Sequence, residues 1–334
     1  MARIGVLGAG SWGTTLGLVL HDNGHEVTLW EFDLAQADAL RRDRENRKFL
    51  PGVPVPASIT VTNDLAEAAR GARAVVFVTP SHAVRATARA AAGLVPADAL
   101  VVNAAKGIEN ETLMRMSEVL SAELDRPNSE RIASLVGPSH AEEVSRRLPT
   151  TIVAAAFEEE TAVAVRDFFM TEYLRVYTNT DLVGVELGVS LKNVIAIAAG
   201  ICDGLGYGDN TKGALITRGL AEMTRLGVAM GGRPATFAGL SGMGDLITTC
   251  ISRHSRNRYV GEKIAAGMTL AQVLDSMVMV AEGVRTTRSA AELARRHGIE
   301  MPITEQMNDV LFHEKDPKQA IAELMVRDPK PETA

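Results

Sequence analysis

Cysteine is scarce in this 334-residue chain, with Cys202 and Cys250 as its only thiols. Two thiols make no disulfide framework of the kind that staples small secreted domains. The seven histidines do not combine with them into the ligand spacing of a zinc site, so no metal is expected. Charge of one sign is also lacking. The 35 basic and 41 acidic residues leave a net charge of −6, and Arg41-Arg42 is diluted by neighbouring acids. No basic stripe for nucleic acid results. Long apolar runs are missing too: the longest candidate, residues 189–202, is broken by Lys192 and reads as too short for a membrane span. Ile4 to Leu7 reads as a strand rather than the core of a leader, so no signal peptide is expected. These absences predict a cytoplasmic protein that is not a membrane protein and has no nucleic-acid partner. The length itself suits two domains.

Short Val/Ile/Ala-rich runs at 3–7, 26–31, 74–79, 99–103, 132–136, 150–156 and 174–177 alternate with helical patterns. That alternation predicts an α/β fold, a doubly wound Rossmann-type and mostly parallel sheet. The last two runs leave little room for a crossover helix and are expected to pair antiparallel. The proline-punctuated stretch 47–56 reads as a loop. Beyond residue 180, helical periodicity takes over at 183–227, 258–267, 270–279 and 288–297. The division is placed at residues 1–182, a dinucleotide-binding domain, and 183–334, an all-helical substrate and catalytic domain.

The hexapeptide Gly8-Ala9-Gly10-Ser11-Trp12-Gly13 follows the first strand and opens a helix over 14–22. Gly8 serves the tight turn, Gly10 lets backbone approach a pyrophosphate, and Gly13 permits close helix–strand packing. The amides of the new helix then face the phosphates. Glu31 ends the second strand 18 residues after Gly13. A carboxylate there accepts hydrogen bonds from ribose hydroxyls and repels a 2′-phosphate, so NAD is expected, with NADP possible. Phe32 either packs on the adenine or is a plain surface aromatic.

Ligands of such sheets lie beyond the carboxyl ends of the strands. Three ends carry unusual residues: Thr79-Pro80-Ser81-His82, Asn103-Ala104-Ala105-Lys106-Gly107 and Gly137-Pro138-Ser139-His140. Lys106 is either a cation at the rim of a site or a solvated loop lysine. His82 and His140 are either acid–base groups or structural.

In the helical half, Lys192 lies in the middle of a small-residue, apolar stretch at 185–198. Burial lowers a lysine pKa toward neutrality and suits it to proton exchange with a carbonyl or alcohol oxygen. The alternative is a packed stem with its head in water. Further on, Ser252-Arg253-His254-Ser255-Arg256-Asn257-Arg258 gathers three guanidiniums, hydroxyls and an amide. It reads as a phosphate grip or as a basic surface turn. Asp245, in a glycine-rich stretch, either orients a lysine, binds a substrate hydroxyl or caps a helix.

With these pieces placed, the chain resembles the NAD(P)-dependent glycerol-3-phosphate dehydrogenases of the bacterial type. The matching segments are GAGSWGTTL at 8–16, FLPG at 49–52, AAKGIE at 104–109 and GPSHAEEV at 137–144. They continue with LKNVIAIAAGICDGLGYGDNTKGALITRGL at 191–220, GDLITTC at 244–250, SRNR at 255–258 and EGVRTT at 282–287. The resemblance implies reversible reduction of dihydroxyacetone phosphate to sn-glycerol 3-phosphate, feeding glycerophospholipid synthesis. It implies Lys192 as proton donor and acceptor, Lys106 beside substrate and cofactor, and Gly137 and Ser139 lining the substrate site. Asp245, Ser255, Arg256 and Asn257 resemble the substrate-binding set, with Arg256 also at the cofactor. Ser11, Trp12, Ala141, Val280 and Glu282 fall where the family contacts the dinucleotide. A homodimer is usual in the family. The stretch Trp30-Glu31-Phe32-Asp33 departs from members that carry a basic residue there. The rival readings are a related hydroxyacid or ketopantoate-type dehydrogenase and a non-catalytic NADH-sensing protein. The arginine cluster weighs against the first, and the two lysines against the second.

Overall fold

The computed structural model describes residues 1–126, 131–329 and 331–332. Eight strands form one sheet: β1 (Arg3–Leu7), β2 (Glu26–Trp30), β3 (Thr60–Thr62), β4 (Ala74–Phe77), β5 (Leu100–Asn103), β6 (Ile132–Val136), β7 (Thr150–Ala155) and β8 (Leu174–Asn179). Their spatial order is β3-β2-β1-β4-β5-β6-β7-β8. The chain therefore moves outward from β1 to β3, then crosses back to β4. That reversal between β1 and β4 opens a crevice at the carboxyl ends of both strands. Residues of β4, β5 and β6 are buried throughout. Helices cover both faces of the sheet, which is why these strands read as continuous apolar runs. One face packs Leu16, Leu20, Leu29 and Phe169, and the other packs Phe77, Val84, Val119 and Ile132.

Two expectations about the sheet change. The runs ending as β7 and β8 pair parallel with each other, not antiparallel, because the 11-residue helix Glu159–Phe169 fits between them. The antiparallel step lies one strand earlier, between β6 and β7. Strand β3 went unread because three residues on a sheet edge are too few to show a period.

Beyond β8 the described residues contain no strand. The helix Leu182–Gly204 runs through the centre of the second half and is buried along nearly its whole length. With 23 residues and a mean hydropathy of 1.7 over its most apolar 18, it is long and apolar enough to cross a membrane by length and composition, contrary to the sequence reading. The helix starts earlier than residue 189 because Glu186 is accommodated inside the protein. Its carboxylate accepts from Arg115 Nη1 at 2.8 Å, Ser117 N at 3.0 Å, Ser117 Oγ at 2.6 Å and Ser134 Oγ at 2.7 Å. Asn103 Nδ2 adds a fifth contact at 3.2 Å. A buried carboxylate persists only when its charge and lone pairs are met in this way. This network ties the helix to the ends of β5 and β6.

The helix Arg256–Ala265 crosses Leu182–Gly204 in backbone contact. A Cβ at Gly200 would lie 2.0 Å from Arg258 O, and one at Gly261 would lie 2.0 Å from Ile197 O. Glycine at both crossing points lets the two axes approach and brings Asn257 against Asn193.

Candidate active site

A cleft of about 870 Å³ runs along the crevice, walled by strand ends on one side and by helices of the second half on the other. The glycine cradle forms one end. Gly8 has φ of +121°, a conformation that side chains avoid. A Cβ at Gly13 would lie 1.8 Å from Gly8 O, so only glycine lets the helix Ser11–Asp22 start so close to β1. A Cβ at Gly10 would meet nothing within 4 Å, because that face opens onto the cleft. The amides of Ser11, Trp12 and Gly13 belong to the first turn and have no carbonyl partner within the helix. Trp12 Nε1 and Thr79 Oγ1 are buried without a hydrogen-bond partner. Open space, unpaired first-turn amides and a helix N-terminus fit the diphosphate of a dinucleotide.

Further along, Glu31 lies just past β2 and lines the same cleft. Burial raises its carboxyl above the usual range, opposed by the Asp33 amide, which donates to Glu31 Oε1 at 3.1 Å. Phe32 is exposed and stands edge-on to Trp30 at 6.3 Å. Val280 and Glu282 line the facing wall.

At the other end, Asp245 joins two lysines that are distant in sequence. Its Oδ1 lies 3.0 Å from Lys192 Nζ, and its Oδ2 accepts from Lys106 Nζ at 3.1 Å. Asp245 therefore orients lysines and does not cap its helix, Asp245–Ile251. Lys192 is 4% exposed, so its head does not reach bulk water. It also donates to Thr249 Oγ1, which in turn donates to Asp245 O at 2.6 Å. Burial pulls the Lys192 ammonium down to about 8, with Asp245 opposing the shift and Lys106 adding to it. Burial pushes the Asp245 carboxyl up, but the Lys106 and Lys192 ammoniums outweigh it and hold the group below its ordinary value. Lys106 is no solvated loop lysine: it also donates to Gly137 O at 2.7 Å and Ser139 Oγ at 3.3 Å.

The arginine cluster divides. Arg256 lines the cleft and donates to Val280 O at 2.9 Å. Arg258 turns away to Asp203 at 2.6 Å and Glu262 at 2.7 Å, and Arg253 does not reach the cleft. A single guanidinium thus faces the cavity, at the N-terminus of the helix Arg256–Ala265. Ser255 caps that helix, accepting from Arg258 N at 3.2 Å. Asn257 donates to Asn193 Oδ1 at 2.8 Å and accepts from Gly283 N at 2.8 Å, which leaves one amide hydrogen for a ligand.

Gly137 and Ala141 lie behind the wall rather than on it. Gly137 acts through its carbonyl on Lys106, and Ala141 packs with Leu50 and Val53 while its carbonyl accepts from Thr15 Oγ1. His82 is outside the cleft, whereas His140 lines it beside His254, with ring centroids 5.7 Å apart. Burial, with Lys106 and Lys192 nearby, holds His140 below the usual histidine range. Sequence reasoning passed over Glu186, Asn193 and Thr249. Glu186 did carry a signal, since a carboxylate in an apolar helix is as anomalous as Lys192. The chain also holds one Tyr-x-x-x-Lys spacing, Tyr259 to Lys263, which would suit a short-chain dehydrogenase. Neither side chain lines the cleft, and Lys263 Nζ instead lies 5.2 Å from the Tyr259 ring centroid.

A family model described as NAD-dependent glycerol-3-phosphate dehydrogenase N-terminus matches residues 3–162, and its C-terminus counterpart matches residues 181–322. A protein of Citrifermentans bemidjiense named glycerol-3-phosphate dehydrogenase (NAD(P)+) is 53% identical over 330 residues, 99% of this chain and 98% of that one. The crystal structure of glycerol-3-phosphate dehydrogenase from Coxiella burnetii superposes with a TM-score of 0.92 at 36% identity, covering 98% of this chain and 99% of that one. A ketopantoate reductase structure from Ralstonia eutropha JMP134 gives a TM-score of 0.61 at 14% identity over 95% of this chain and 99% of that one, a likeness of fold alone. The chain belongs to the NAD-dependent glycerol-3-phosphate dehydrogenase family, NAD(P)-dependent oxidoreductases that interconvert dihydroxyacetone phosphate and glycerol 3-phosphate.

Proposed function

We propose that this cleft reduces dihydroxyacetone phosphate with Lys192 as proton donor and runs the reverse reaction with Lys192 as acceptor. The observation that carries the reading is the buried Lys192–Asp245–Lys106 cluster sharing one cavity with the glycine cradle. An acid with a pKa of about 8 exchanges its proton readily in both directions near neutral pH. Bound NAD(P)H supplies the hydride to C2 of the ketone. Lys192 delivers a proton to the oxygen on C2, and the Lys106 ammonium stabilises the negative charge developing there. Asp245 holds both lysines on that oxygen. Ser139 and Gly137 fix Lys106 from below.

Arg256, Ser255 and Asn257 take the substrate phosphate at the helix N-terminus, so its binding energy orients the ketone. Gly8, Gly10, Ser11, Trp12 and Gly13 hold the diphosphate, with Val280 and Glu282 completing the dinucleotide wall, Ala141 packed behind it and Phe32 against the adenine. Glu31 favours NAD over NADP. In this reading residues 1–182 are the cofactor domain and 183–334 the substrate domain. The product supplies glycerophospholipid synthesis in the cytoplasm, and the working form is a homodimer.

The test is NADH oxidation followed at 340 nm with dihydroxyacetone phosphate. Lys192→Ala is expected to lose turnover by about 10²–10⁴-fold, the usual weight of a general acid, while NADH affinity stays near that of the wild type. An active Lys192→Ala enzyme overturns the assignment.

A further inference from the structure

Ser81 does not line the cleft, yet it makes a paired contact between the two halves of the chain. It opens the helix Ser81–Ala91 after β4. Its amide donates to Glu282 Oε1 at 2.9 Å, and its hydroxyl donates to Glu282 Oε2. Both oxygens of Glu282 are thus engaged by one residue. Glu282 opens the helix Glu282–His297, and the next amide, Gly283 N, donates to Asn257 Oδ1 at 2.8 Å. Asn257 in turn donates to Asn193 Oδ1 at 2.8 Å, and Asn193 follows Lys192 in the chain.

Glycines show how tightly this line is drawn. A Cβ at Gly107, the neighbour of Lys106, would lie 2.6 Å from the Ser81 side chain and 3.4 Å from Glu282 Oε2. A Cβ at Gly283 would lie 2.6 Å from Asn193 O and 2.8 Å from Asn257 Oδ1. The line has no slack, and each catalytic lysine is chain neighbour to a member of it.

We propose that Ser81 is a positioning residue: its paired hydrogen bonds to Glu282 hold Asn257 and Asn193 at the substrate wall, setting triose phosphate affinity from the cofactor side. This rests on the dehydrogenase reading of the cleft. Glu282 acts in it as the joint between the halves. Ser81 shapes the substrate site without touching the substrate.

Ser81→Ala in the full-length chain tests it. The KM for dihydroxyacetone phosphate is expected to rise about tenfold, the typical effect of losing a hydrogen bond to a carboxylate. The NADH dissociation constant, read by fluorescence titration, changes by less than that KM, because the backbone amide at position 81 still holds Glu282 Oε1 on the dinucleotide wall, and the melting temperature reports whether folding is intact. In an Asn257→Ala background the same change has less than about a threefold effect, because its target is already gone. An unchanged KM, or an undiminished increase in the Asn257→Ala background, overturns the coupling. Wild-type protein that leaves NADH unoxidised with dihydroxyacetone phosphate would instead overturn the reading of the cleft.

Discussion

Asp245 Oδ1 lies 3.0 Å from Lys192 Nζ, and both side chains are almost wholly out of water. The pair is held in opposed balance. Burial and the Lys106 charge drive Lys192 toward its neutral amine, while Asp245 favours the ammonium.

That balance sets a pH dependence. Ketone reduction needs the ammonium, so kcat should hold below about pH 8 and fall above it; alcohol oxidation needs the free amine and should rise through the same window. Asp245→Asn removes the favourable charge but leaves burial and Lys106 in place, so both limbs should move to lower pH. Profiles of kcat against pH in both directions check this. Limbs that stay put would mean that another group titrates.

Among the described residues, Arg256 alone brings a guanidinium to the cavity wall. Arg256→Ala should lower kcat/KM for dihydroxyacetone phosphate on the order of 100-fold, the weight of a charge-assisted phosphate contact. The unphosphorylated ketone should be hardly affected. Comparing the two substrates before and after the substitution isolates the phosphate contribution.

Glu31 lines the end of the cleft where an adenosine ribose would lie. Its negative charge disfavours a 2′-phosphate, so kcat/KM should be higher with NADH than with NADPH. Glu31→Ala should narrow that ratio by about tenfold, since the repulsive element is gone. An unchanged ratio would place the discrimination elsewhere.

Glu186 neutralises Arg115 inside the protein, at 2.8 Å. Glu186→Ala would leave Glu118, at 2.8 Å, as the remaining carboxylate on the buried Arg115 guanidinium and would strip Ser117 and Ser134 of their buried acceptor, and should cost about 3 kcal/mol of stability. Urea denaturation measures it. A loss below about 1 kcal/mol would show that the network relaxes around the vacancy.

Much of the strand-rich half was legible because its signals are local. The turn at Gly8, the spacing to Glu31 and the buried strand runs all act within a few tens of residues. The site opposite is different. Lys106, Lys192 and Asp245 were each visible as anomalies, but no local rule joins a loop after β5, the middle of a helix and the start of another. Asp245 was equally readable as a cap until its carboxylate was found between two lysines.

The amino-acid sequence by itself determined the glycine cradle, the alternation that builds the sheet and the presence of charged side chains in an apolar helix. Backbone conformation and periodicity follow from neighbouring residues, so they can be read in one dimension. Only the tertiary structure decided which of three arginines faces the cavity, that β7 and β8 run parallel, and that one carboxylate serves two lysines. The arginine and the shared carboxylate depend on helices crossing at Gly200 and Gly261 and on Glu186 fixing Leu182–Gly204 to the sheet, and the parallel pair depends on the helix Glu159–Phe169 between its strands. Such contacts join residues far apart in the chain, and close packing rather than local preference chooses among them.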